Sequence, residues 1–269
     1  MPKVNKKAIL VASFGTSHAD TRDRTICAIE KDIASTYPDY EIRRAFTSGM
    51  ILNVLAKRDG IIIDTVSSAM DRLVREGFHT VLVQPTHVIN GDEYDDMVED
   101  VMKYQGNFEE LIIGSPLLTS TEDYQKVILG IMEKFPELDK KDALVLMGHG
   151  TEHHVNAVYA ALDYRFKEMG YSNVFVGTVE AYPDVEVVLK QVKAYHPQKV
   201  ILLPLMAVAG DHASNDMAGE EKDSWKSIFE NEGYEVSCIL KGLGEFKAIR
   251  RIYLEHISTA MSQSQSPLR

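Results

Sequence analysis

The sequence predicts an α/β protein of two similar domains, each a four-stranded parallel sheet flanked by helices, with the functional site in the cleft between them. Three observations lead there. Short β-branched apolar runs alternate with longer amphipathic stretches, the pattern of βαβ units. Residues 6–18 align without gaps on residues 141–153. Further along, Val81-Leu82-Val83-Gln84-Pro85, leading to Gly91-Asp92-Glu93, aligns on Val200-Ile201-Leu202-Leu203-Pro204, leading to Gly210-Asp211-His212. Matched segments in the same order mark an internal duplication.

In the first half the pattern places strands near 8–13, 41–46, 80–84 and 110–113, alternating with helices near 20–36, 64–76, 92–103 and 121–134. In the second half it places strands near 143–147, 173–176, 199–203 and 235–239, and helices near 153–168, 184–195, 216–231 and 245–261. The polar, turn-rich stretch 136–142 falls between the repeats, so the domains are expected to span 1–139 and 140–269. The sequence leaves open whether the last helix crosses back onto the first domain. The Ser- and Gln-rich tail, 262–267, is expected to fray.

A chain of 269 residues that is 45% hydrophobic can bury two modest cores. Its formal net charge of −11, without any block of Lys or Arg, disfavours a nucleic-acid or acidic-membrane partner. A polyanionic ligand needs local help against that field, from helix-start N–H groups or from Arg43, Arg44 or Lys241. Lys3, Lys6 and Lys7 before an apolar stretch resemble a signal peptide superficially, but the stretch is too short and reads as a first strand. No run has the length of a membrane-spanning helix. Cys27 and Cys238 are expected to be free thiols in a reducing cytoplasm.

Where the two copies differ, the second has gained imidazoles: Phe14 is replaced by His149, and Glu93 by His212. His149 lies between Gly148 and Gly150 after a buried-looking strand, which permits a sharp turn that exposes the ring. Glu180, in Val179-Glu180-Ala181-Tyr182-Pro183, follows the next strand, and His212 follows the third, just past Gly210. Each is open to a plain reading as a turn histidine, a solvated loop acid or a helix-start residue. Together they sit at the carboxyl ends of consecutive strands of one sheet, where open α/β sheets bind ligands. Two neutral imidazoles and a carboxylate suit a divalent cobalt, iron, nickel or zinc ion, and three protein ligands leave positions open for exchange.

Glu93 is either an acid facing the same cleft or a helix-start carboxylate stabilised by the dipole. His87, which has Met206 as its counterpart, is a candidate to line the cleft; His153 and His154 are candidates to support His149. His196 and His256 read as surface residues, and Trp225, Met206 and Met217 as packing. Zincin, dinucleotide-binding, P-loop and nucleophile-elbow motifs are missing from the sequence.

At these residues the chain resembles the anaerobic cobalt chelatases of the CbiK family, class II chelatases related in fold to ferrochelatase. The motifs that carry the resemblance span nearly the whole chain in order: Ser13-Phe14-Gly15-Thr16, Arg44-Ala45-Phe46-Thr47-Ser48-Gly49-Met50, Ile89-Asn90-Gly91-Asp92-Glu93-Tyr94, Met147-Gly148-His149-Gly150, Glu180 with Tyr182-Pro183, Val208-Ala209-Gly210-Asp211-His212-Ala213 with Asn215-Asp216-Met217, and Gly242-Leu243-Gly244-Glu245. The resemblance implies a chelatase-like fold and ATP-independent insertion of Co2+, as substrate metal, into sirohydrochlorin, an early cobalamin precursor, with no organic cofactor. It implies that His149, Glu180 and His212 bind the metal and that Glu93 is an active-site acid, with pyrrole protons taken by a histidine or by Glu93. Exported relatives carry a signal peptide, so a cytoplasmic, biosynthetic enzyme is expected. The substrate's carboxylates are expected to meet N–H groups of the 13–16 loop and its neighbours. Fe2+ insertion for sirohaem, Ni2+ use, a zinc hydrolase and a tetrapyrrole or metal carrier remain open, as does a homo-oligomer.

Overall fold

The computed structural model describes residues 6–264. The first sheet is built from β1 (Lys7–Ser13), β2 (Glu41–Phe46), β3 (Thr80–Pro85) and β4 (Glu110–Ile113), all parallel, in the order β2-β1-β3-β4. The second repeats that order as β6-β5-β7-β8 with β5 (Asp142–Gly148), β6 (Val174–Thr178), β7 (Lys199–Pro204) and β8 (Glu235–Cys238). Among the helices are α1 (Ala19–Arg24), α2 (Ile26–Thr36), α3 (Gly49–Val54), α4 (Val66–Arg75), α5 (Asp92–Met102), α6 (Thr121–Met132), α7 (Ala157–Glu168), α8 (Val185–Tyr195), α9 (Trp225–Asn231) and α10 (Lys247–Ser264).

The central strands are buried on both faces, which is why Ala8 to Ala12 and Ala143 to Met147 read as continuous apolar runs without alternation. On one face of the first sheet Leu10, Val81 and Val83 pack with Met70, Leu73, Met97 and Val101 from α4 and α5. On the matching face of the second, Val145, Val200 and Leu202 pack with Val188, Val192, Met217, Trp225 and Phe229.

Three differences from the sequence reading have local causes, and a fourth concerns the tail. The helix expected over 20–36 is two, α1 and α2, broken at Thr25, whose hydroxyl donates to Thr21 O at 2.5 Å. The residues between β2 and α4 hold α3, capped by Ser48 and continued by one wide π-type turn, Leu55–Asp59. The helix expected over 216–231 is instead a wide turn, Ala213–Met217, followed by α9. Gly219 makes that break: a Cβ there would lie 2.2 Å from Asn215 O, and Ser224 then caps a fresh start. The end of the tail, 265–267, lies outside the described residues, as does Lys3, and α10 continues through the tail's start to Ser264.

The chain divides into two compact units, one running to Thr119 and resuming at Arg250, the other spanning Ser120–Ile249. The stretch 136–142 therefore lies within the second unit, where Asn173 donates to Asp139 O and Asp142 O at 3.1 and 2.9 Å and Tyr195 donates to Lys140 O at 2.6 Å. α6 belongs to that unit too, with Gly130 against Ala248 and Ile249. α10 from Arg250 onward belongs to the first: Arg250 pairs with Asp32 at 2.6 Å, and the buried Tyr253 hydroxyl donates to Thr86 O at 2.9 Å.

Candidate metal centre

β5 ends at Gly148, in register with Thr178 of β6. Pairing continues past both strands, with Val179 N–H donating to Gly148 O at 3.0 Å and Glu180 N–H to His149 O at 2.9 Å. Sheet register therefore sets His149 beside Glu180. Tyr159 supports the turn from below: burial pushes its phenol up to about 12, an effect reduced by hydrogen bonds to the backbone of Gly150 and His149. Gly150 adopts φ +91°, and a Cβ there would sit 2.9 Å from the backbone nitrogen of Ala181.

His212 arrives from the loop after β7. Leu205 N–H donates to Met147 O at 2.7 Å, and the loop is then held by Leu243 N–H on Met206 O at 2.8 Å and Gly244 N–H on Ala207 O at 3.0 Å. This contact explains Gly242: a Cβ would lie 2.6 Å from Ala207 O and 2.7 Å from the Val208 Cα. In the order β6-β5-β7-β8 the chain runs outward from β5 to β6 on one side and from β7 to β8 on the other, in opposite directions. The three side chains stand at that topological switch point, at the carboxyl ends of the strands.

One ligand-capable atom from each of His149, Glu180 and His212 lies within 4.8 Å of the other two, the metal-capable group found among the described residues. Glu180 lies beside both rings, its oxygens 3.5 Å from His149 Nδ1 and 3.8 Å from His212 Nε2. The rings meet edge to face with centroids 4.7 Å apart. Ligands around one ion at about 2.1 Å lie no more than about 4.2 Å apart, close to the spacing within which these atoms already lie. The side chains are 44%, 52% and 36% exposed, which leaves the remaining coordination positions open to an incoming ligand.

Hydrogen bonding selects the tautomers. The carbonyl of Gly150 lies 2.8 Å from His149 Nδ1 and can only accept, so that nitrogen carries the proton and Nε2 keeps its lone pair. The carboxylate of Asp216 stands in the same relation to His212 Nδ1, also at 2.8 Å. In the sequence Asp216 stood only within the motif ending at Met217, with no role assigned to it, although its spacing of four from His212 on one helical face was the available signal.

The other candidate residues are not part of that three-residue group. Glu93 lies exposed in the first turn of α5, beside Asp92 and Asp95, in the first unit and outside the three-residue group. His87 is half-buried, its Nε2 3.4 Å from Thr47 Oγ1 and its Nδ1 closed to solvent without a partner among the described residues; burial pushes it down to about 4. His153 Nδ1 accepts from Val155 N–H at 3.2 Å, and its ring stacks obliquely on His154 with centroids 4.0 Å apart. His196 is exposed and ends α8 at φ 60°, whereas His256 is half-buried against Ser115 O at 3.1 Å and is not the surface residue expected. Trp225 and Met217 are core residues, and Met206 packs on the same core. Lys241 is exposed, while the arginines expected to serve anions are engaged: Arg43 pairs with Glu41 and Glu76, and Arg44 with Glu30.

The chain belongs to the cobalt chelatase (CbiK) family, whose sequence model matches residues 7–262. It is 42% identical over 259 residues to the sirohydrochlorin cobaltochelatase of Salmonella typhimurium, covering 96% of this chain and 98% of that protein. To the sirohydrochlorin cobaltochelatase CbiKC of Nitratidesulfovibrio vulgaris it is 32% identical over 262 residues, covering 96% and 92%. Among solved structures, SirB from Bacillus subtilis with Fe3+ matches with a TM-score of 0.64 at 15% identity, over 97% of this chain and 98% of that one, which shows a shared fold. Among the described residues no helix is long and apolar enough to cross a membrane.

Proposed function

We propose that this chain is a sirohydrochlorin cobaltochelatase, inserting Co2+ into sirohydrochlorin without ATP to give cobalt-sirohydrochlorin in anaerobic cobalamin biosynthesis. The observation that carries the reading is the convergence of His149, Glu180 and His212 within 4.8 Å, in a chain whose relatives bear that activity in their names. His212 holds the substrate metal through Nε2, His149 through a ring nitrogen and Glu180 through a carboxylate oxygen.

Metallation exchanges two pyrrole protons for one dication, so charge balances only if the protein or solvent takes two protons. A histidine that ligates through Nε2 while its Nδ1–H is hydrogen-bonded has no lone pair left. As the ion passes from Nε2 to a pyrrole nitrogen, that lone pair is released and accepts the pyrrole proton. Glu93, at the position of the first unit that matches His212, is the proposed second acceptor. A cytoplasmic location is part of this proposal, and the free thiols Cys27 and Cys238 support it.

The test is an anaerobic absorbance time course of sirohydrochlorin and Co2+ with substoichiometric protein, run in parallel with Fe2+ and Ni2+. Many turnovers, fastest with Co2+, are expected. A change that stops at one equivalent identifies a carrier, faster turnover with Fe2+ identifies a sirohaem enzyme, and no change beyond the protein-free control overturns the chelatase reading.

A further inference from the structure

Asp216 lies four residues after His212, and its Oδ2 is 2.8 Å from His212 Nδ1. The matching helix of the first unit has nothing equivalent. There, Met97 lies four residues after Glu93 and is buried in the core. In the second unit the corresponding core place is taken by Met217, five residues after His212. The extra residue is absorbed by one wide turn, closed by Ala218 N–H on Ala213 O at 3.2 Å, while Ser214 N–H to Gly210 O and Gly219 N–H to Asn215 O keep ordinary helical spacing. Single turns of this kind re-aim side chains and recur at functional sites. Here the wide turn keeps the core methionine and leaves residue 216 outside the core, its side chain 46% exposed, on His212.

We infer that Asp216 is a positioning residue for the metal centre: it accepts the Nδ1 proton of His212 and thereby presents the Nε2 lone pair to the incoming metal. The inference rests on the proposed function. The two nitrogens of an imidazole point away from each other, so a carboxylate on Nδ1 does not compete for the ion held by Nε2. It orients the ring, excludes the tautomer that cannot ligate and makes Nε2 more basic, as carboxylates behind metal-bound histidines do. His149 takes the corresponding support from a neutral carbonyl, that of Gly150. A carboxylate accepts more strongly than a carbonyl, so the two imidazoles are unequal and His212 is the stronger donor.

The experiment uses the full-length chain as wild type, Asp216→Ala and Asp216→Glu. Histidine 15N NMR on the metal-free proteins reads the tautomer, titration with Co2+ alone reads affinity, and circular dichroism with melting reads the fold. In the wild type the His212 proton is expected on Nδ1. Asp216→Ala is expected to shift it toward Nε2 and to weaken Co2+ binding by about 10–100-fold with melting unchanged. Asp216→Glu is expected to recover part of both. An Nε2–H tautomer in the wild type, or Co2+ affinity of Asp216→Ala within about twofold of wild type, overturns the role of Asp216. A wild type that neither binds Co2+ nor inserts it overturns the chelatase reading beneath it, and the two failures are told apart by which protein shows them.

Discussion

At the carboxyl end of β1, Thr47 N–H donates to Ser13 O and Ser48 N–H to Phe14 O; at the end of β5, Val179 N–H donates to Gly148 O and Glu180 N–H to His149 O. Thr86 N–H on Ala12 O corresponds likewise to Leu205 N–H on Met147 O. The two units thus hold one backbone frame at their switch points, and the frame presents Phe14, Ser48 and Glu93 in one and His149, Glu180 and His212 in the other. The proposed metal-binding capacity therefore rests on the side chains and not on the frame. The exits also differ: Ser48 turns inward to cap α3, accepting from Ile51 N–H at 3.4 Å, whereas the chain after Glu180 runs through Ala181 and a cis Tyr182–Pro183 bond to the cap of α8.

Removing a ligand breaks this asymmetry most directly. His149→Ala and His212→Ala are each expected to lower kcat/KM for Co2+ insertion by at least about 100-fold, since metal positioning is worth several kcal/mol. Circular dichroism should remain unchanged, because both side chains stand at an open rim. Insertion assays with purified variants check this, and near-normal rates would remove the histidines from the mechanism.

The duplication, the eight strands and the three ligand candidates were legible in the sequence because buried parallel strands leave continuous apolar runs and because His149 and His212 stand out against their own counterparts. Other features were not. The division of the chain at Thr119 and Arg250 depends on which unit α6 and α10 pack against, and an amphipathic helix looks the same whichever sheet it covers. The wide turn before Met217 shifts a core position by one residue, and a pattern read at 3.6 residues per turn passes over it. Asp216 was hidden for the same reason, since alignment on the first unit sets it opposite the core residue Met97.

His87 and Met206 differ in a way that stability should report. Burial holds His87 at about 4, against about 6.5 in an unfolded chain. The unfolded state therefore binds more protons between those values, and stability is full above pH ~6.5, falls as pH drops toward ~4 and changes no further below. The cost reaches up to about 3 kcal/mol at 1.36 kcal/mol per unit. His87→Met, which installs the residue of the other unit, is expected to flatten that part of the curve. Urea midpoints at pH 7.5, 5.5 and 4.5, all about the range of interest, compare the two proteins; parallel curves would show that His87 does not set the acid limit.

Gly15 and Gly150 hold the same place, with φ +103° and +91°. An added Cβ would meet the Phe46 ring at 2.5 Å in one case and the Ala181 backbone nitrogen at 2.9 Å in the other. Each Gly→Ala change is expected to cost about 1–3 kcal/mol in backbone strain, seen as a lower melting temperature. Only Gly150→Ala should also weaken Co2+ binding, because the Gly150 carbonyl fixes His149. Equal Co2+ affinity in the two variants would show that this carbonyl is dispensable.

The smallest effect is the most discriminating for the idea of a shared frame. Phe14→His places an imidazole where His149 stands in the other unit, and with Phe14 40% exposed the change should shift stability by less than about 1 kcal/mol. Co2+ stoichiometry is expected to remain at one per chain. The neighbouring position is occupied by Ser48, buried and engaged as a helix cap, so the new histidine lacks the carboxylate that Glu180 supplies to His149. A single imidazole holds a divalent ion weakly, and a site requires convergence of several donors. Calorimetric titration of Phe14→His with Co2+ decides the matter. A second tight equivalent would mean that the frame alone builds a metal site, and the difference between the units would then reduce to one residue.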